Sequence, residues 1–431
     1  MFRNSLARTA LAAALSATTC HAAGVTLDRR QGASTPQTNA SIPVKSLGTL
    51  SLSHAGFAEV ISQGGEDALF VSSFGLLGDS VHRINDISTV GSVGLGKLTA
   101  AKIGGSITWP NDITVAPAEV FGAEGVLVGG GFLVPTKTNG GIWYSANTAA
   151  GRSSSWVQLI EQSGWWYHRV LFADMDGDGV LDMVSCRADQ PLIGATKTML
   201  VILKPKDASK PTGEWVETEI GAGCDALFTV ADLDGDGLPE VIAPSYFTEK
   251  LNVFHSKTGF ADPSDVQTVT IDGTVGAAFD AQYVDVNGDG KKDLLVSNHQ
   301  GDGTGGVYAY EVPDDVTAAK SYVRHTLAAG FPVTQRGLQQ AAPGSPRAFF
   351  PTPASVDAGI PYIVLAGDAA QRAYVLIPGV TEWSYKTTYL HDCGCTVGQV
   401  SAADLDGDGA AETIIIPCYD DGVLAAYTFA T

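Results

Sequence analysis

The sequence predicts an all-β fold, a seven-bladed β-propeller, from three observations. One acidic loop recurs four times along the chain, at Asp174–Asp182, Asp232–Glu240, Asp285–Asp293 and Asp404–Glu412. Each loop lies between two short apolar runs, and further strand-like runs follow it. Four short strands in about 55 residues, separated by polar turns rich in glycine, are typical of a propeller blade.

The spacing of the loops predicts the number of blades. The loops begin at positions 174, 232, 285 and 404, so the last interval is about twice the others and leaves room for one more copy. A copy without the acidic pattern fits Arg347–Asp368, and two others fit Ile107–Gly131 and Gly56–Gly75. The sequence therefore predicts seven copies, three of them without an acidic loop.

The last copy contains only three strand-like runs, and its fourth strand can come from Ser41–Thr49. This pairing would join the two ends of the ring and remove exposed sheet edges. We therefore expect one propeller domain over residues 41–431. An array of independent EF-hand-like loops is the alternative, but the flanking runs are rich in Val, Ile, Tyr and Thr and show no helical period.

The first 23 residues predict a secretory signal peptide. Arg3 and Arg8 precede an apolar run, and small residues near Ala22 and Ala23 form a cleavage site. Residues 24–40 would form a propeptide or tail, in which Asp28–Arg30 is either a dibasic processing site or a solvated segment. No later apolar run reaches the ~20 residues of a membrane span. We expect a secreted, extracellular monomer without a membrane partner.

Charge and cysteine content agree with this setting. The formal net charge is −20, and a negative surface repels the phosphates of nucleic acid, so a nucleic acid partner is not expected. Cys20 lies in the signal peptide, and five cysteines follow it, an odd number that leaves one thiol free or differently paired. Blade geometry predicts a Cys186–Cys224 bridge and a second bridge from Cys418 to Cys395 or Cys393.

The acidic loops resemble the FG-GAP (integrin-α-like) repeat family. The resemblance rests on the pattern D-x-[DN]-G-D-G-x-x-[DE] and its strand flanks, and it covers residues from roughly 50 to 431. It implies that the loop joins the two innermost strands of a blade and has a structural role. Oxygen ligands at positions 1, 3, 5 and 9 suit calcium, and Gly at positions 4 and 6 allows the tight turn. We expect about four structural calcium ions and no organic cofactor. The candidate ligands are Asp174, Asp176, Asp178, Asp182, Asp232, Asp234, Asp236, Glu240, Asp285, Asn287, Asp289, Asp293, Asp404, Asp406, Asp408 and Glu412.

Candidate catalytic residues are expected on the opposite face. A strand of about six residues spans about 20 Å, so residues six before and five after each loop meet there. Aromatic rings can stack on sugars, Arg can bind a carboxylate, and His and Tyr can exchange protons. The candidate catalytic residues are His82, Tyr144, His168, Arg169, Arg187, Tyr246 and His299, and the candidate substrate-binding residues are Trp109, Asn111, Arg347, Phe349 and Tyr419.

For two groups of residues on this face, the sequence fits more than one role. Trp165, Trp166 and Tyr167 suit either a sugar platform or packing between blades. Asp225 and Asp280 suit an acid/base couple, although a glycosidase would be expected to show a paired Glu.

These residue types suggest a lyase that acts on a uronate-containing polysaccharide by β-elimination. Arg169 or Arg187 would bind the carboxylate, His168, His299 or His82 would take the C5 proton, and Tyr246 or Tyr144 would protonate O4.

The whole chain resembles the secreted seven-bladed lyases that remove rhamnose capping glucuronate in gum-arabic-type arabinogalactan. That resemblance implies an unsaturated glucuronate product. Ulvan and oligogalacturonide lyases with propellers imply the same chemistry on other uronates. The alternative is a non-catalytic glycan-binding propeller with a lectin or adhesion role.

Overall fold

The computed structural model describes residues 44–75, 78–105, 107–132, 137–146, 155–191, 194–334 and 340–429. Within these residues the strands form seven sheets, each of four antiparallel strands, and each sheet is one blade of a propeller. The predicted all-β seven-bladed fold is confirmed. The predicted signal peptide (1–23) and tail (24–40) lie outside the described residues.

The blades follow one another along the chain. The first strand, β1 (Val44–Ser51), belongs to the last blade. Blade 1 consists of β2 (Ala55–Gln63), β3 (Glu66–Ser73), β4 (Ser80–Ile84) and β5 (Ala100–Gly104). Blade 2 consists of β6 (Pro110–Ala116), β7 (Gly125–Gly130), β8 (Gly141–Ala146) and β9 (Val157–Glu161). Blade 3 consists of β10 (Trp166–Ala173), β11 (Asp182–Asp189), β12 (Lys197–Pro205) and β13 (Trp215–Gly221).

The remaining blades have the same order from the axis outward. Blade 4 consists of β14 (Thr229–Ala231), β15 (Glu240–Ser245), β16 (Lys250–His255) and β17 (Gln267–Asp272). Blade 5 consists of β18 (Ala278–Val284), β19 (Asp293–Asn298), β20 (Gly306–Glu311) and β21 (Val323–Ala329). Blade 6 consists of β22 (Pro346–Phe349), β23 (Tyr362–Ala366), β24 (Arg372–Pro378) and β25 (Tyr385–Asp392). Blade 7 consists of β26 (Ser401–Ala403), β27 (Thr413–Cys418) and β28 (Val423–Phe429), with β1 as its outermost strand.

The ring closes where β1 pairs with β28. The antiparallel register runs from Val44 opposite Phe429 to Ser51 opposite Val423. Leu47 and Leu52 are buried in the same cluster as Leu424, between blades 7 and 1. Strands from both ends of the described chain therefore share one sheet, and β1 covers the outer edge of β28.

The turn between the first and second strands differs between the two kinds of blade. In blades 3, 4, 5 and 7 this turn is the acidic loop. Blade 1 has Gly64 and Gly65 there, both with positive φ, which suits a tight hairpin turn. Blades 2 and 6 have short helices, Ala118–Phe121 and Pro353–Ala358. The second helix begins at a capping box, in which Thr352 and Ser355 satisfy each other's backbone N–H groups.

The hydrophobic core is distributed between neighbouring blades. Between blades 4 and 5, for example, Ile242 and Val253 pack against Ala281 and Leu294, and all four are fully buried. Burial of one such aliphatic side chain stabilises the fold by roughly 1.5–3 kcal/mol. Each blade therefore covers an apolar face of its neighbour.

Two disulfides join neighbouring blades. Cys186 on β11 bonds Cys224 in the segment that leads to β14, as the sequence predicts. Cys418 at the end of β27 bonds Cys393 after β25, which decides between the two partners left open. Cys395 is buried and free. Disulfides form and persist in oxidising compartments, so these bridges indicate a secreted or extracellular protein.

Within the described residues, no helix is both long and apolar enough to cross a bilayer.

Replacing both Cys393 and Cys418 with Ala should lower the free energy of unfolding by about 3–4 kcal/mol, because the bridge restricts the unfolded chain. Denaturant unfolding followed by tryptophan fluorescence measures this change. Cys395→Ala is the matched control, since it removes a buried thiol without opening a bridge. Equal stability of the control and the double variant would contradict the assigned pairing.

Candidate functional site

The face opposite the acidic loops carries the turns between second and third strands and the connections from blade to blade. We call it the upper face. The acidic loop follows the first strand of its blade. The beginning of that strand therefore lies on the upper face.

A continuous series of aromatic rings crosses the upper face from blade 7 to blade 5. Neighbouring ring centroids are 4.8–6.3 Å apart, the range in which aromatic pairs attract each other. Trp109 and Phe132 stack with an interplanar angle of 6° at 5.2 Å. We call this series the aromatic arc. Its members are Tyr419, His54, Phe74, Trp109, Phe132, Trp166, His168, Phe247, Tyr246, His299 and Phe279.

Backbone strain coincides with the arc. His54 and Trp109 in the arc, and Asp368 beside it, have φ values of 55°, 45° and 48°. Positive φ in residues other than glycine costs about 1–3 kcal/mol and clusters at functional sites. Neighbouring contacts hold these conformations: Trp109 lies between Phe74 and Phe132.

His299, Tyr246 and Asp368 form the polar part of the arc. The His299 Nδ1 lies 2.9 Å from the carbonyl oxygen of Pro343, so Nδ1 carries the proton in the neutral ring and Nε2 is the free acceptor. Nε2 lies 3.9 Å from Asp368 Oδ2, and the Tyr246 ring centroid is 6.0 Å from that of His299. Burial raises the pKa of Tyr246, which keeps its phenol protonated. A proton acceptor and a proton donor therefore face the same space.

His168 lies near the start of β10, the first strand of blade 3. Its Nδ1 lies 3.0 Å from the carbonyl oxygen of Asp225, and burial lowers its pKa to about 4, so the ring is neutral at pH 7. The Asp225 carboxylate accepts from the backbone N–H of Tyr246 at 2.6 Å and from the Ser245 hydroxyl at 2.8 Å. Burial raises the pKa of Asp225 to about 7. Asp225 therefore positions Tyr246 and does not face a substrate.

Arg169 lies at the propeller axis. Its Nε donates to Asp112 Oδ2 at 2.6 Å, and its Nη1 lies 3.0 Å from the carbonyl oxygen of Phe228 and 3.3 Å from Asp280 Oδ1. Arg169 is 5% exposed. The two carboxylates match its charge, so the predicted role of Arg169 in binding a substrate carboxylate does not fit its surroundings, and Asp280 is engaged in the same ion pair.

The other blades contribute to this axial cluster. Gln399 Nε2 donates to Asp112 Oδ1 at 3.2 Å, and Arg347 Nη2 lies 3.5 Å from Glu59 Oε2. The Arg347 side chain is 25% exposed. Arg347 is therefore the more accessible of the two axial arginines. The cluster takes one group from the innermost part of each blade, in order Glu59, Asp112, Arg169, the Phe228 carbonyl, Asp280, Arg347 and Gln399.

Several predicted site residues lie elsewhere. Tyr144 is three residues into β8, is 4% exposed, and stacks on Phe121 at 4.2 Å, near the opposite face. Phe349 is buried between blades 6 and 7 against Phe429. These two predictions are wrong because the strands begin earlier than the sequence spacing implied, which moves both side chains below the rim.

Asn111 and His82 also lie away from the open surface. Asn111 is buried, and its side-chain amide donates to the carbonyl oxygens of Gly131 and Tyr167, which ties blade 2 to blade 3. His82 lies inside β4, between Val71 and Lys102 in the sheet. Burial lowers its pKa to about 4. Within the described residues it makes no ring contact with the arc.

Arg187 faces a groove between blades 2 and 3. Its guanidinium pairs with Glu217 and Glu219 and lies 4.2 Å from the ring centroid of Trp165. The two glutamates therefore neutralise the charge of Arg187 at a place outside the arc. This contradicts the predicted catalytic role of Arg187. Trp166 belongs to the arc, whereas the hydroxyl of Tyr167 donates to Glu217 at 2.7 Å. Residues 165–167 thus contribute side chains both to the arc and to the groove between blades 2 and 3.

The acidic loops share one backbone arrangement. In blade 7 the Asp404 carboxylate accepts from the N–H groups of Gly407 and Gly409 at 2.7 and 2.9 Å. Both glycines have positive φ, which explains Gly at positions 4 and 6. The first carboxylate of blades 4 and 5 accepts equivalent bonds. In blade 3 Asp174 accepts instead from the N–H groups of Asp178 and Gly179. The loops are therefore preformed with several carboxylates directed inward.

The carboxylate oxygens converge in the loops of blades 3, 4 and 7. Carboxylate oxygens of all four blade 7 positions lie within 4.8 Å of one another. Three positions converge in blade 3 and three in blade 4. Asp176 Oδ1 and Glu412 Oε2 are buried without a hydrogen-bond partner among the described residues. Burial also raises the pKa of Asp182 and of Asp293 to about 6, so a bound cation would stabilise their charged forms.

Blade 3 differs from the others because a lysine lies among its carboxylates. Lys204 Nζ is 2.6 Å from Asp176 Oδ2, 3.2 Å from Asp182 Oδ1 and 3.5 Å from Asp178 Oδ2. The third strand of this blade, β12, supplies it. This ammonium competes with a metal ion for the same oxygens.

Sequence reasoning missed Glu59, Asp112 and Phe247. Glu59 and Asp112 lie on the innermost strands β2 and β6. A charged residue within an otherwise apolar run was the sequence signal that could have identified them. Phe247 extends the arc between Trp166 and Tyr246. It directly follows Tyr246, which the sequence predicts as a candidate catalytic residue.

Comparisons with known proteins bear on the repeat and the fold. A family described as an FG-GAP-like repeat matches residues 232–296, which include the acidic loops of blades 4 and 5. No curated protein matches the chain.

Solved structures of low identity are similar in outline. A protein assigned as a 6-phosphogluconolactonase from Bacteroides uniformis has a TM-score of 0.44 at 14% identity, over 78% of this chain and 85% of that one. A glucose dehydrogenase has a TM-score of 0.42 at 11% identity, over 90% and 99%. The Dos1 propeller has a TM-score of 0.44 at 10% identity, over 87% and 82%. The chain is thus a seven-bladed β-propeller that contains an FG-GAP-like repeat.

Proposed function

We propose that the protein is a secreted polysaccharide lyase that cleaves a uronate-linked glycan by β-elimination on the upper face. The observation that carries this proposal is the His299–Tyr246 pair, an imidazole whose Nδ1 is held by the Pro343 carbonyl and a phenol that stays protonated, at one end of a long aromatic surface. Aromatic rings bind the apolar faces of sugars, and the arc is long enough for several of them.

In the proposed reaction His299 Nε2 takes the C5 proton of the uronate, since Nδ1–H is held by the Pro343 carbonyl. The electron pair of the C5–H bond forms a C4=C5 double bond, the C4–O4 bond breaks, and the Tyr246 hydroxyl protonates O4. His168 is the second candidate base, because its low pKa leaves it neutral. Asp368, beside His299 Nε2, would stabilise the imidazolium that forms.

The uronate carboxylate needs a positive group that a substrate can reach and that the protein's own carboxylates match least. Arg169 and Arg187 each pair with two carboxylates, so we assign this role to Arg347. Its one described ion pair, with Glu59, is long, and its side chain is partly exposed. Arg347 also lies four residues after Pro343, the partner of His299. A positive group at the carboxylate stabilises the charge that develops as the C5 proton leaves.

The substrate implied by the whole-chain resemblance is the rhamnosyl-glucuronate cap of arabinogalactan or gum arabic, from which rhamnose would be released. The second candidate function is non-catalytic glycan binding by a lectin-like or adhesion propeller. One observation favours it: the two arginines best placed by sequence, Arg169 and Arg187, are neutralised by the protein itself.

We propose calcium as the structural ion of the acidic loops, about four ions in all. The carboxylates and Asn287 supply hard oxygen ligands, which calcium prefers. Bound calcium would neutralise carboxylates that otherwise repel one another and would fix the turn between the two innermost strands. We propose no organic cofactor.

The catalytic proposal predicts a rise in ultraviolet absorbance, from the new C=C bond, when the protein is incubated with a uronate polysaccharide. His299→Ala and Tyr246→Phe should each lower kcat/KM by about a hundred- to ten-thousand-fold, because each removes a proton-transfer group. His325→Ala is the matched control. That histidine lies on β21, bonds Glu311 and stacks on Trp383, so its loss should leave the rate unchanged.

The same experiment distinguishes the two functions. A wild-type protein that binds a uronate glycan but releases no unsaturated product from a panel of glucuronate, galacturonate and ulvan substrates would contradict the lyase and support glycan binding. Activity that persists in both His299→Ala and Tyr246→Phe would contradict the residue assignment.

The calcium proposal predicts that EDTA lowers the melting temperature, and that added calcium restores it. Asp404→Asn should reduce the size of this EDTA effect, because it weakens the loop in which all four carboxylates converge. Asp357→Asn is the matched control, since Asp357 is an exposed carboxylate in the corresponding turn of blade 6. Differential scanning calorimetry with and without EDTA measures both effects. An unchanged wild-type melting temperature in EDTA would contradict the proposal.

A further inference from the structure

A groove between blades 2 and 3 has no part in the reaction proposed above. Its volume is about 650 Å³, within the roughly 300–1,000 Å³ of small-molecule sites. Its walls come from the outermost strand of each blade, β9 and β13, together with Trp165 and Arg187. The groove therefore lies outside the axis and is separate from the aromatic arc.

Two indoles line the groove. Trp215 donates its Nε1–H to the carbonyl oxygen of Pro211 at 2.8 Å, which fixes the orientation of the ring. Trp165 is half-buried and carries the Arg187 guanidinium over its ring. Trp215 is 7% exposed and packs on Phe121, so Trp165 is the indole that a ligand can reach. Its aromatic face suits a ligand with an apolar face of its own.

The charged groups of the groove are largely matched by the protein itself. Arg187 pairs with Glu217 and Glu219, and Lys206 pairs with Glu214. Glu161 has no ion pair among the described residues. The four glutamates outnumber the two cations, so the groove has a net negative charge and repels an anionic ligand. A neutral ligand meets no such repulsion.

One donor in the groove has no partner. Arg187 is 4% exposed, and its Nε is buried without a hydrogen-bond partner among the described residues. A buried donor without a partner costs about 1–3 kcal/mol, so an acceptor at this place would be stabilising. A hydroxyl group is such an acceptor, and it can also donate to a neighbouring glutamate.

We propose that this groove is a second carbohydrate-binding site, which takes a neutral sugar residue. The C–H face of a pyranose or furanose ring would pack on an indole. Its hydroxyls would donate to the glutamate oxygens and accept from Arg187 Nε. Sugars that carry a carboxylate would be excluded by the glutamates. The site lies beside the arc, because Trp165 lines the groove and Trp166 belongs to the arc.

The test is calorimetric titration of the full chain with neutral galacto-, gluco- and arabino-oligosaccharides, with glucuronate oligosaccharides, and with spermine as a cationic probe. At least one neutral series should bind the wild type, and Trp165→Ala should raise its Kd tenfold or more. Trp156→Ala is the matched control. Trp156 is also half-buried, bonds the carbonyl oxygen of Ile103 and lies outside the groove, so its Kd should stay at the wild-type value.

A second variant keeps the test decisive if Trp165→Ala does not fold. Glu219→Gln changes a side chain that is 57% exposed and removes a charged acceptor, so neutral oligosaccharides should bind several-fold more weakly. The same titrations on His299→Ala should give the wild-type Kd, which separates this site from the proposed reaction. The proposal is overturned if no neutral series binds, if Trp165→Ala and Trp156→Ala bind equally, or if spermine alone binds.

Discussion

A buried arginine at the axis is the contact on which the arrangement of the blades depends. Arg169 reaches Asp112 in blade 2, the Phe228 carbonyl at blade 4 and Asp280 in blade 5. Gln399 of blade 7 bonds the same Asp112, and Arg347 pairs blade 6 with blade 1 through Glu59. Buried charges cost several kcal/mol each unless they are paired and hydrogen-bonded. Each group here comes from a different blade, so together these contacts involve all seven blades around the axis.

A short segment of β10 and its approach shows how the fold separates its surfaces. Successive side chains of a strand point to opposite sides. Trp165 lines the outer groove, Trp166 and His168 belong to the arc, Tyr167 bonds Glu217 in the groove, and Arg169 lies at the axis. Substitutions in this segment therefore act on different properties of the protein even when they are adjacent in sequence.

The architecture was predictable because it repeats. Four acidic loops and their spacing predict seven blades, and the structure has seven sheets, with a glycine turn or a short helix in the three blades that lack the loop. Single side chains were less predictable, because a shift of one or two residues in a strand start moves a side chain to another surface. Tyr144 and Phe349 moved into the core for this reason. The partners of Arg169 and Arg187 come from other strands and blades, which no local pattern reveals.

Lys204 gives blade 3 a counter-ion that is covalently attached to the chain. Its ammonium lies among the carboxylates of the loop at a concentration set by the fold, so neither dilution nor a chelator removes it. A dissolved ion must instead be recruited from the medium, and its contribution grows with its concentration. The acidic loop of blade 3, the blade that contains Trp166–Arg169, would consequently keep its shape in calcium-poor surroundings. The other acidic loops would respond to the ionic composition of the environment into which the protein is released.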